Sequence, residues 1–566
     1  MDRTFILCLA MLYPLPGALV SDNETSPLKP LTDLMEDAEI PGLSVVRIND
    51  GDIEWSYALG VKEVNSEEPV TESTVFEAAS LSKPVVAYLT LRLAARGVID
   101  LDAPLWDKQG YDRLAHDPRA RDITTRMVLT HTSGLPNWGG TPLNLNNDPG
   151  STWGYSGEGF VYLATMLERR TGKLLNQLAR EEVFEPLEMP SSSFVWTEAY
   201  EQTAASPHDL GGQSTEKGRP ESANAAASLH TTARDYGRFL IAVMKGEGLP
   251  DDLAMAMVSQ QSDIGGWGDK STWEHLGWTL GWGYQKGDGG GAIWHWGDNG
   301  NFRCFVLAYP ERREALVYFS NTSLGLSIAD DMLELAFDDT FWALRYLDYY
   351  RWDAPGYQAR KALRQVAVES SEDEALESVK KILAELPEDV AGNEALRVGS
   401  FLVERGNLAL AGSVADWGVE RFGGVQWLEG RAEIRTRTKD HAGAVADFEA
   451  ALALDGERSE AIAPRLAWLK DGLKSAGKNY QLAADGLDEY VGTFGPRVIR
   501  RENLRLLYRR EGASSESPLL PLDQDVFVIE GVHWFRMRFD RDETGEVIGI
   551  TGLYWDGRTD ETLRSE

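Results

Sequence analysis

The chain is poor in the residues that bind metals or cross-link a fold. Its 566 residues include two cysteines, Cys8 and Cys304, and eight histidines. Two cysteines cannot build a disulfide framework, and no Cys/His cluster has the spacing of a zinc site. Positive charge is scarce too: 56 Lys and Arg against 89 Asp and Glu leave a formal charge of −33. A surface of that sign repels phosphate, which argues against nucleic acid as a partner. Beyond the first residues, no apolar run reaches the length of about 20 residues that a spanning helix needs. Apolar content is ordinary, 43% hydrophobic with 26% charged, so disorder is excluded as the general state. At roughly 100–200 residues per domain the length allows three to four domains. Neither a metal nor an organic cofactor is implied.

The start of the chain reads as an address. Thr4 to Val20 is apolar, follows Arg3, is interrupted by Pro14 and Pro16, and ends at Ser21-Asp22. Such a short, broken run fits a secretory signal over 1–21 better than a membrane span. The expected product is exported, periplasmic or secreted, with no stable membrane span after signal removal. Cys304 would then be an unpaired thiol.

Three regions follow. Leu43–Ile48 and Ile53–Leu59 flank Asn49-Asp50-Gly51, a hairpin signal. Pro84–Ala95 and Phe160–Arg170 have helical periodicity and are stopped by Gly97 and Gly172. Between them Asn137–Tyr155, rich in Gly, Asn and Trp, predicts a long loop. Trp294–Gly297, Phe302–Tyr309 and Ala315–Phe319 are strand-like. Strands at both ends with helices between predict an α+β domain over 22–352 whose sheet joins its two ends. From Asp353 onward Ala, Leu, Glu and Arg dominate with helical periodicity, predicting an α-helical region over 353–484. In it Gly406-Asn407, Ala411 and Ala415 match Lys439-Asp440, Ala444 and Phe448 about 33 residues later, which resembles the tetratricopeptide period of about 34. Leu504–Tyr508, Val526–Ile529, His533–Phe539 and Val547–Tyr554 predict a small all-β module over 485–566. Asp540, Asp542 and Glu546 look superficially like a calcium loop, but Thr551 stands where the final Glu belongs, so a plain hairpin turn is expected.

The chemistry begins with a weak motif. Ser80-Leu81-Ser82-Lys83 is an S-x-x-K, and the same pattern recurs at Ser26, Ser214, Ser378 and Ser475. Only Ser80 precedes a long apolar helix. Residues three apart on a helix share a face, so Lys83 can reach the Ser80 hydroxyl. A serine is a poor nucleophile until a base takes its proton, and a lysine can do this if its pKa is lowered. An N-capping serine followed by a surface lysine would read the same way.

Three further segments raise the odds of chemistry: His131-Thr132-Ser133-Gly134-Leu135-Pro136, Tyr155-Ser156-Gly157, and Trp294-His295-Trp296-Gly297-Asp298. With Ile40-Pro41-Gly42 and the Gly-Trp repeats of Gly277–Gly283, they resemble the serine β-lactamase-like superfamily in consistent order over about 310 residues. That superfamily includes class C β-lactamases, penicillin-binding peptidases, D-aminopeptidases and related esterases. The resemblance implies an antiparallel sheet flanked by helices plus a helical subdomain. It also implies Ser80 as nucleophile, with Lys83 and Tyr155 sharing the general-base work. His295-x-Gly297 would correspond to the family's K-T-G strand, and the backbone N–H groups of Ser80 and Asp298 to the oxyanion hole. His131 would be structural.

Two departures bear on substrate. Gly157 stands where family peptidases have the Asn of Tyr-x-Asn, and His295 replaces the lysine of K-T-G. Both remove polar grips on a carboxylated amide, favouring esters or small peptide-like acyl substrates. A β-lactamase or D-amino-acid peptidase is the alternative. A catalytically silent binding protein, using the helical region to hold a protein partner, is the second. Trp138, Trp153, Trp267, Trp273, Trp278, Trp282, Trp294 and Trp296 cluster around these motifs, and Trp294 and Trp296 are the strongest candidates to line a broad apolar pocket.

Overall fold

The computed structural model describes residues 27–265, 270–359, 361–362, 372–404, 406–455, 459–476, 484–511, 516–530, 532, 534–555 and 557–565. The expected export signal, Cys8, Trp267 and His533 lie outside the described residues. The chain divides into two compact units, one reaching Arg351 apart from Gly140–Pro142, the other beginning at Trp352.

In the first unit, helix α1 (Leu28–Asp37) buries Leu31, Leu34 and Met35, one face of a 3.6-residue period. Strands β1 (Gly42–Asn49) and β2 (Asp52–Gly60) form the expected hairpin. Its turn puts Asp50 at φ 50° and Gly51 at φ 80°, the left-handed pair a tight hairpin turn needs. Further on come β3 (Phe76–Ala79), β4 (Leu229–Thr231), β5 (Ser262–Asp263), β6 (Leu276–Trp278), β7 (Gly283–Gly287), β8 (Gly290–Asp298), β9 (Arg303–Tyr309) and β10 (Glu314–Ser320). Eight of them form one antiparallel sheet in the order β2-β1-β10-β9-β8-β7-β6-β5, while β3 and β4 pair separately. Leu43 stands opposite Ser320 and Ile48 opposite Ala315, so the ends of the unit meet in mid-sheet as the sequence pattern predicts. Val45, Val46 and Ile48 are wholly buried, and the helix Ala233–Lys245 lies on the Val46 face, with Gly237 set against Val46.

Helix α2 (Ser82–Ala95) is buried on nearly every side, as expected of a helix that is apolar all round. It starts two residues before Pro84. Helices α3 (Thr125–Leu129) and α4 (Gly157–Thr171) flank it; α4 begins earlier than its apolar pattern because Ser156 caps it, accepting from the Gly159 N–H, and Gly172 ends it at φ 70°.

The second unit opens with helices Glu372–Ala384, Glu388–Glu404, Leu408–Arg421, Val425–Arg437, His441–Leu454 and Ser459–Ala476. Asn407 and Asp440 cap successive pairs in the same way, accepting from the N–H groups of Leu410 and Gly443. Each follows a left-handed residue, Gly406 at φ 75° and Lys439 at φ 66°. Ala411, Ala415, Ala444 and Phe448 are buried between the helices.

Eight strands follow: β11 (Gly492–Phe494), β12 (Arg497–Glu502), β13 (Arg505–Arg510), β14 (Ser517–Pro521), β15 (Val526–Ile529), β16 (Phe535–Arg541), β17 (Val547–Tyr554) and β18 (Thr559–Leu563). They pair in sequence order. Phe494 also bridges to Arg564, and the Ser565 N–H donates to Thr493 O at 2.8 Å, so the module is a nearly closed barrel. Phe494, Phe527, Phe539, Met537 and Ile550 fill it. At the turn after β16 one oxygen of Asp542 accepts from the Thr544 and Glu546 N–H groups and the Thr544 hydroxyl, the pattern of a hairpin turn.

Candidate active site

Ser80 sits in the turn between β3 and α2, half-buried, two residues before the first helical residue. That correction matters little, because the turn closes with Lys83 N–H donating to Ser80 O at 3.0 Å and still brings the two side chains together. Ala79, just before it, is held at φ 47°, a conformation that costs a non-glycine residue about 1 kcal/mol. The turn is fixed from the next position: the Ser82 hydroxyl donates to Ala79 O at 2.6 Å and accepts from the Leu229 N–H at 3.0 Å, joining β3, β4 and α2.

Lys83 is 1% exposed. Its ammonium donates to Ser80 Oγ at 3.0 Å and to Ala226 O at 2.9 Å. Burial lowers its pKa from the ordinary 10.5 to about 7. Nζ lies 4.7 Å from the centre of the Tyr155 ring, over its face. Tyr155 turns part of its ring outward, but its hydroxyl is buried and closes no hydrogen bond with protein. Burial raises its pKa, and the neighbouring Ser80 hydroxyl offsets only part of that. The arrangement therefore favours a protonated phenol. Burial thus acts on the two groups expected to share the base work in opposite senses, lowering the lysine pKa and raising that of the tyrosine.

His131 holds the tyrosine segment from two sides. Its Nδ1 accepts from the Ser156 N–H at 3.0 Å, its carbonyl accepts from the Gly154 N–H at 2.7 Å, and its ring centre is 4.5 Å from that of Tyr155. Burial, with Lys83 nearby, keeps it neutral.

His295 is fully buried on β8 among Tyr155, Trp278, Trp282 and Trp296. Its Nδ1–H donates to Trp296 O at 2.8 Å, which leaves Nε2 without a proton and, in this structure, without a protein partner. Burial first, and Lys83 second, push its pKa down to about 3. It is neutral where a lysine would be a cation.

Gly297 explains the x-Gly of that motif. A Cβ there would meet Cys304 Sγ at 2.3 Å and Ala78 O at 2.6 Å. Only glycine lets the end of β8 approach the end of β3 that leads into Ser80. The Asp298 carboxylate is engaged by Arg303 at 3.1 Å, by the Tyr349 hydroxyl at 2.9 Å and by the Gly300 N–H at 2.8 Å. At Gly157 the space for a side chain is filled: a Cβ would meet Asn137 O at 2.8 Å and the Trp138 ring at 3.0 Å.

The structure thus brings Ser80, Lys83 and Tyr155 together, sets His295 beside Tyr155, and uses Gly297 to bring its strand against them. Of the tryptophans, Trp278, Trp282 and Trp294 are wholly buried. Trp294 is therefore core and not pocket, because Gly283 stands opposite it on β7 and leaves room for the indole to lie across the strand. Trp153 and Trp296 do line a cavity, of about 730 Å³, with Tyr155, Arg345, Tyr346, Leu347 and Tyr349. Sequence reasoning missed this last group. The available signal was aromatic density: Phe341, Trp342, Tyr346, Tyr349, Tyr350 and Trp352 lie within one short stretch.

Comparison with known proteins shows the family of the first unit. A family model described as Beta-lactamase matches residues 30–339. Esterase EstB of Burkholderia gladioli is 30% identical, with 41% of this chain and 75% of the esterase covered. A Beta-lactamase of Yersinia enterocolitica is 25% identical, with 44% and 67% covered. A solved class C beta-lactamase, 18% identical, superposes with a TM-score of 0.47, covering 57% of this chain and 99% of that one.

Proposed function

The chain belongs to the beta-lactamase family, and on that premise we propose that it is a serine hydrolase working through an acyl-enzyme on Ser80. Its proposed substrates are carboxylic esters or small peptide-like acyl compounds. One observation carries the reading: an amine with a pKa of about 7 lies 3.0 Å from a serine hydroxyl. Near neutral pH a large share of Lys83 is unprotonated and able to accept the Ser80 proton. Ser80 Oγ then attacks the substrate carbonyl. The N–H groups of Ser80 and Asp298 hold the developing oxyanion, donors worth about 3–4 kcal/mol each in other acyl-transfer enzymes. Tyr155, a protonated phenol, passes a proton toward the leaving group and recovers it through Lys83. Water repeats the sequence to release the acid. These steps need no cofactor.

Neutral His295 and the filled space at Gly157 support esters over carboxylated amides or β-lactams. The 30% identity with an esterase points the same way. The repeated cap at Asn407 and Asp440, about 33 residues apart, supports a tetratricopeptide-like reading of the helical region, with a protein partner as its occupant. We propose the divisions 22–352, 353–484 and 485–566, and export of the chain after loss of 1–21.

The test is hydrolysis of p-nitrophenyl acetate by the full chain and by Ser80→Ala. The expected result is turnover in the first and at least a thousandfold loss in the second. Equal rates would overturn the assignment of Ser80. An inert full chain whose mass increases on incubation with a penicillin would move the substrate class to β-lactams.

A further inference from the structure

We infer that this site selects substrates carrying a neutral, planar ring, held in a pocket whose outer wall comes from a segment beyond the family match. The inference rests on the proposed acyl transfer at Ser80 and goes further by naming what is bound beside it. The 730 Å³ cavity is within the range of about 300–1,000 Å³ usual for small-molecule sites. Trp153, Tyr155 and Trp296 line it together with Tyr346, Leu347 and Tyr349. The family match ends at residue 339, so Tyr346, Leu347 and Tyr349 lie outside the matched region. Tyr155 belongs both to the cavity and to the Ser80–Lys83 cluster, which places a bound ring within reach of an acyl carbon at Ser80.

The wall beyond the match is fixed in place. Buried Gln285 on β7 donates to Thr340 O at 3.3 Å and accepts from the Ala343 N–H at 3.1 Å. Trp342 stacks on His275 at 3.9 Å with an interplanar angle of 8°. The Tyr349 hydroxyl donates to Asp298 at 2.9 Å, and the Arg303 guanidinium lies 5.2 Å from the Tyr349 ring centre. Tyr346 meets Trp153 edge-on at 6.5 Å. The wall is thus braced against the sheet at one end and against the strand end that carries Asp298 at the other.

Its chemistry names the ligand. Five aromatic rings line the space, and such rings favour another ring, offset-stacked or edge-on. The two charged residues at the cavity, Arg345 and Asp348, are exposed and opposite in sign, and Arg345 already lies over Trp342 at 4.8 Å. His295, the buried base nearest the cavity's Trp296, is neutral. None of the residues lining the cavity is a buried cation, and Lys83, over the Tyr155 ring, already donates to Ser80 Oγ and Ala226 O, so nothing at hand offsets the desolvation of a carboxylate. A neutral ring fits, whether it belongs to the acyl or to the alcohol half of the ester.

The experiment compares kcat/KM of the full chain for 2-naphthyl acetate, vinyl 2-naphthoate and vinyl acetate, each divided by that ester's uncatalysed hydrolysis rate. One ring-bearing ester is expected to exceed vinyl acetate at least tenfold, and which one does so assigns the ring to the alcohol or the acyl side. Tyr346→Ala should lower that ratio at least fivefold, while Tyr346→Phe keeps it. Equal normalised values for all three esters, or a ratio unchanged in a folded Tyr346→Ala, would overturn the inference and leave the hydrolase intact. Equilibrium dialysis of 2-naphthol against Ser80→Ala, with and without Tyr346→Ala, reads the pocket without turnover. Binding weakened fivefold by the second substitution, together with a native full chain that hydrolyses none of the esters, would retain the pocket and remove the proposed function.

Discussion

Two buried charges, one in each unit, are treated in opposite ways. Asp447, in the helical region, is 3% exposed and receives both nitrogens of a forked Arg431 contact at 2.6 and 2.9 Å and Arg435 at 3.0 Å. Asp416 takes the outer side of the same two arginines at 3.0 and 3.2 Å. Lys83, equally buried, has only a hydroxyl and a carbonyl as hydrogen-bond partners. The first charge is compensated and holds helices together. The second is uncompensated, its pKa falls to about 7, and a nucleophile stands beside it. The difference separates buried charge used for structure from buried charge used for chemistry.

The largest effect is expected where the uncompensated charge is removed. Lys83→Met should lower kcat for ester hydrolysis at least a thousandfold, because Ser80 loses its base. The same change should stabilise the fold. The Lys83 pKa is about 7 when folded and near 10.5 when unfolded, so between those values the unfolded chain binds the extra proton. Stability of the native chain therefore rises with pH from about 7 to 10.5, and the burial cost is fully present below 7. Met removes that cost but leaves Ala226 O without its donor, for a net gain on the order of 2 kcal/mol at pH 7. Thermal unfolding at pH 7 and pH 10 reads it: a higher midpoint at pH 7, and a smaller difference at pH 10. In the native enzyme kcat/KM should fall below an acid limb near pH 7. A variant less stable at pH 7 would mean that Lys83 is compensated after all.

Next in size is the compensated charge. Asp447→Ala leaves two partly buried arginines with only the exposed Asp416 as a shared partner, though they are 18% and 26% exposed and water can reach them. The expected cost is about 2 kcal/mol, below the 3–5 of a fully buried pair. Hydrogen exchange in Val425–Leu454 should accelerate while ester hydrolysis stays within twofold. A matching collapse of hydrolysis would break the distinction between the two charges.

The same distinction marks what could be read from sequence. Ser80, Lys83, Tyr155, His295 and Gly297 stood out because their order and short-range spacing survive in one dimension. The paired ends of the first sheet were legible too, since β1 and β10 are continuous apolar runs. The burial of Lys83 was not, because a lysine three residues after a serine looks the same at a surface as in a core. Trp294 and Trp296 lie on one face of β8 and have equal claims in sequence; only Gly283, opposite Trp294, decides which becomes core. In the barrel, β12 reads Arg-Val-Ile-Arg-Arg-Glu, where buried Arg497 and half-buried Arg501 share the face of Ile499 and mask the alternation, and β14 ends in Pro521. Tyr346 and Tyr349 were visible as aromatic density, but nothing local says whether a ring faces a core or a cleft.

The smallest expected effect lies at the rim, where a polar grip is missing instead of unpaired. At Gly157 the resemblance read from sequence implies an absent Asn; the structure has an occupied space. Asn137 O accepts from both the Gly157 and Glu158 N–H groups at 3.1 Å, closing the loop onto the start of α4. Any Cβ at 157 would come within 2.8 Å of that oxygen, which belongs to the backbone and has little freedom to move. Gly157→Ala should therefore destabilise the first unit by about 1 kcal/mol, the low end for overpacking, because the Trp138 ring beside it is 53% exposed and can swing away. The expected readout is a drop of roughly 2–4 °C in its unfolding midpoint, with the 2-naphthyl to vinyl acetate ratio preserved, since Trp153, Trp296 and Tyr346 are not displaced. Gly157→Asn should pay the same steric penalty and gain no turnover of a carboxylated amide, because neutral His295 still offers that carboxylate no charge. Amide turnover in Gly157→Asn would show that the missing side chain alone, and not the neutral base on β8, had set the substrate class.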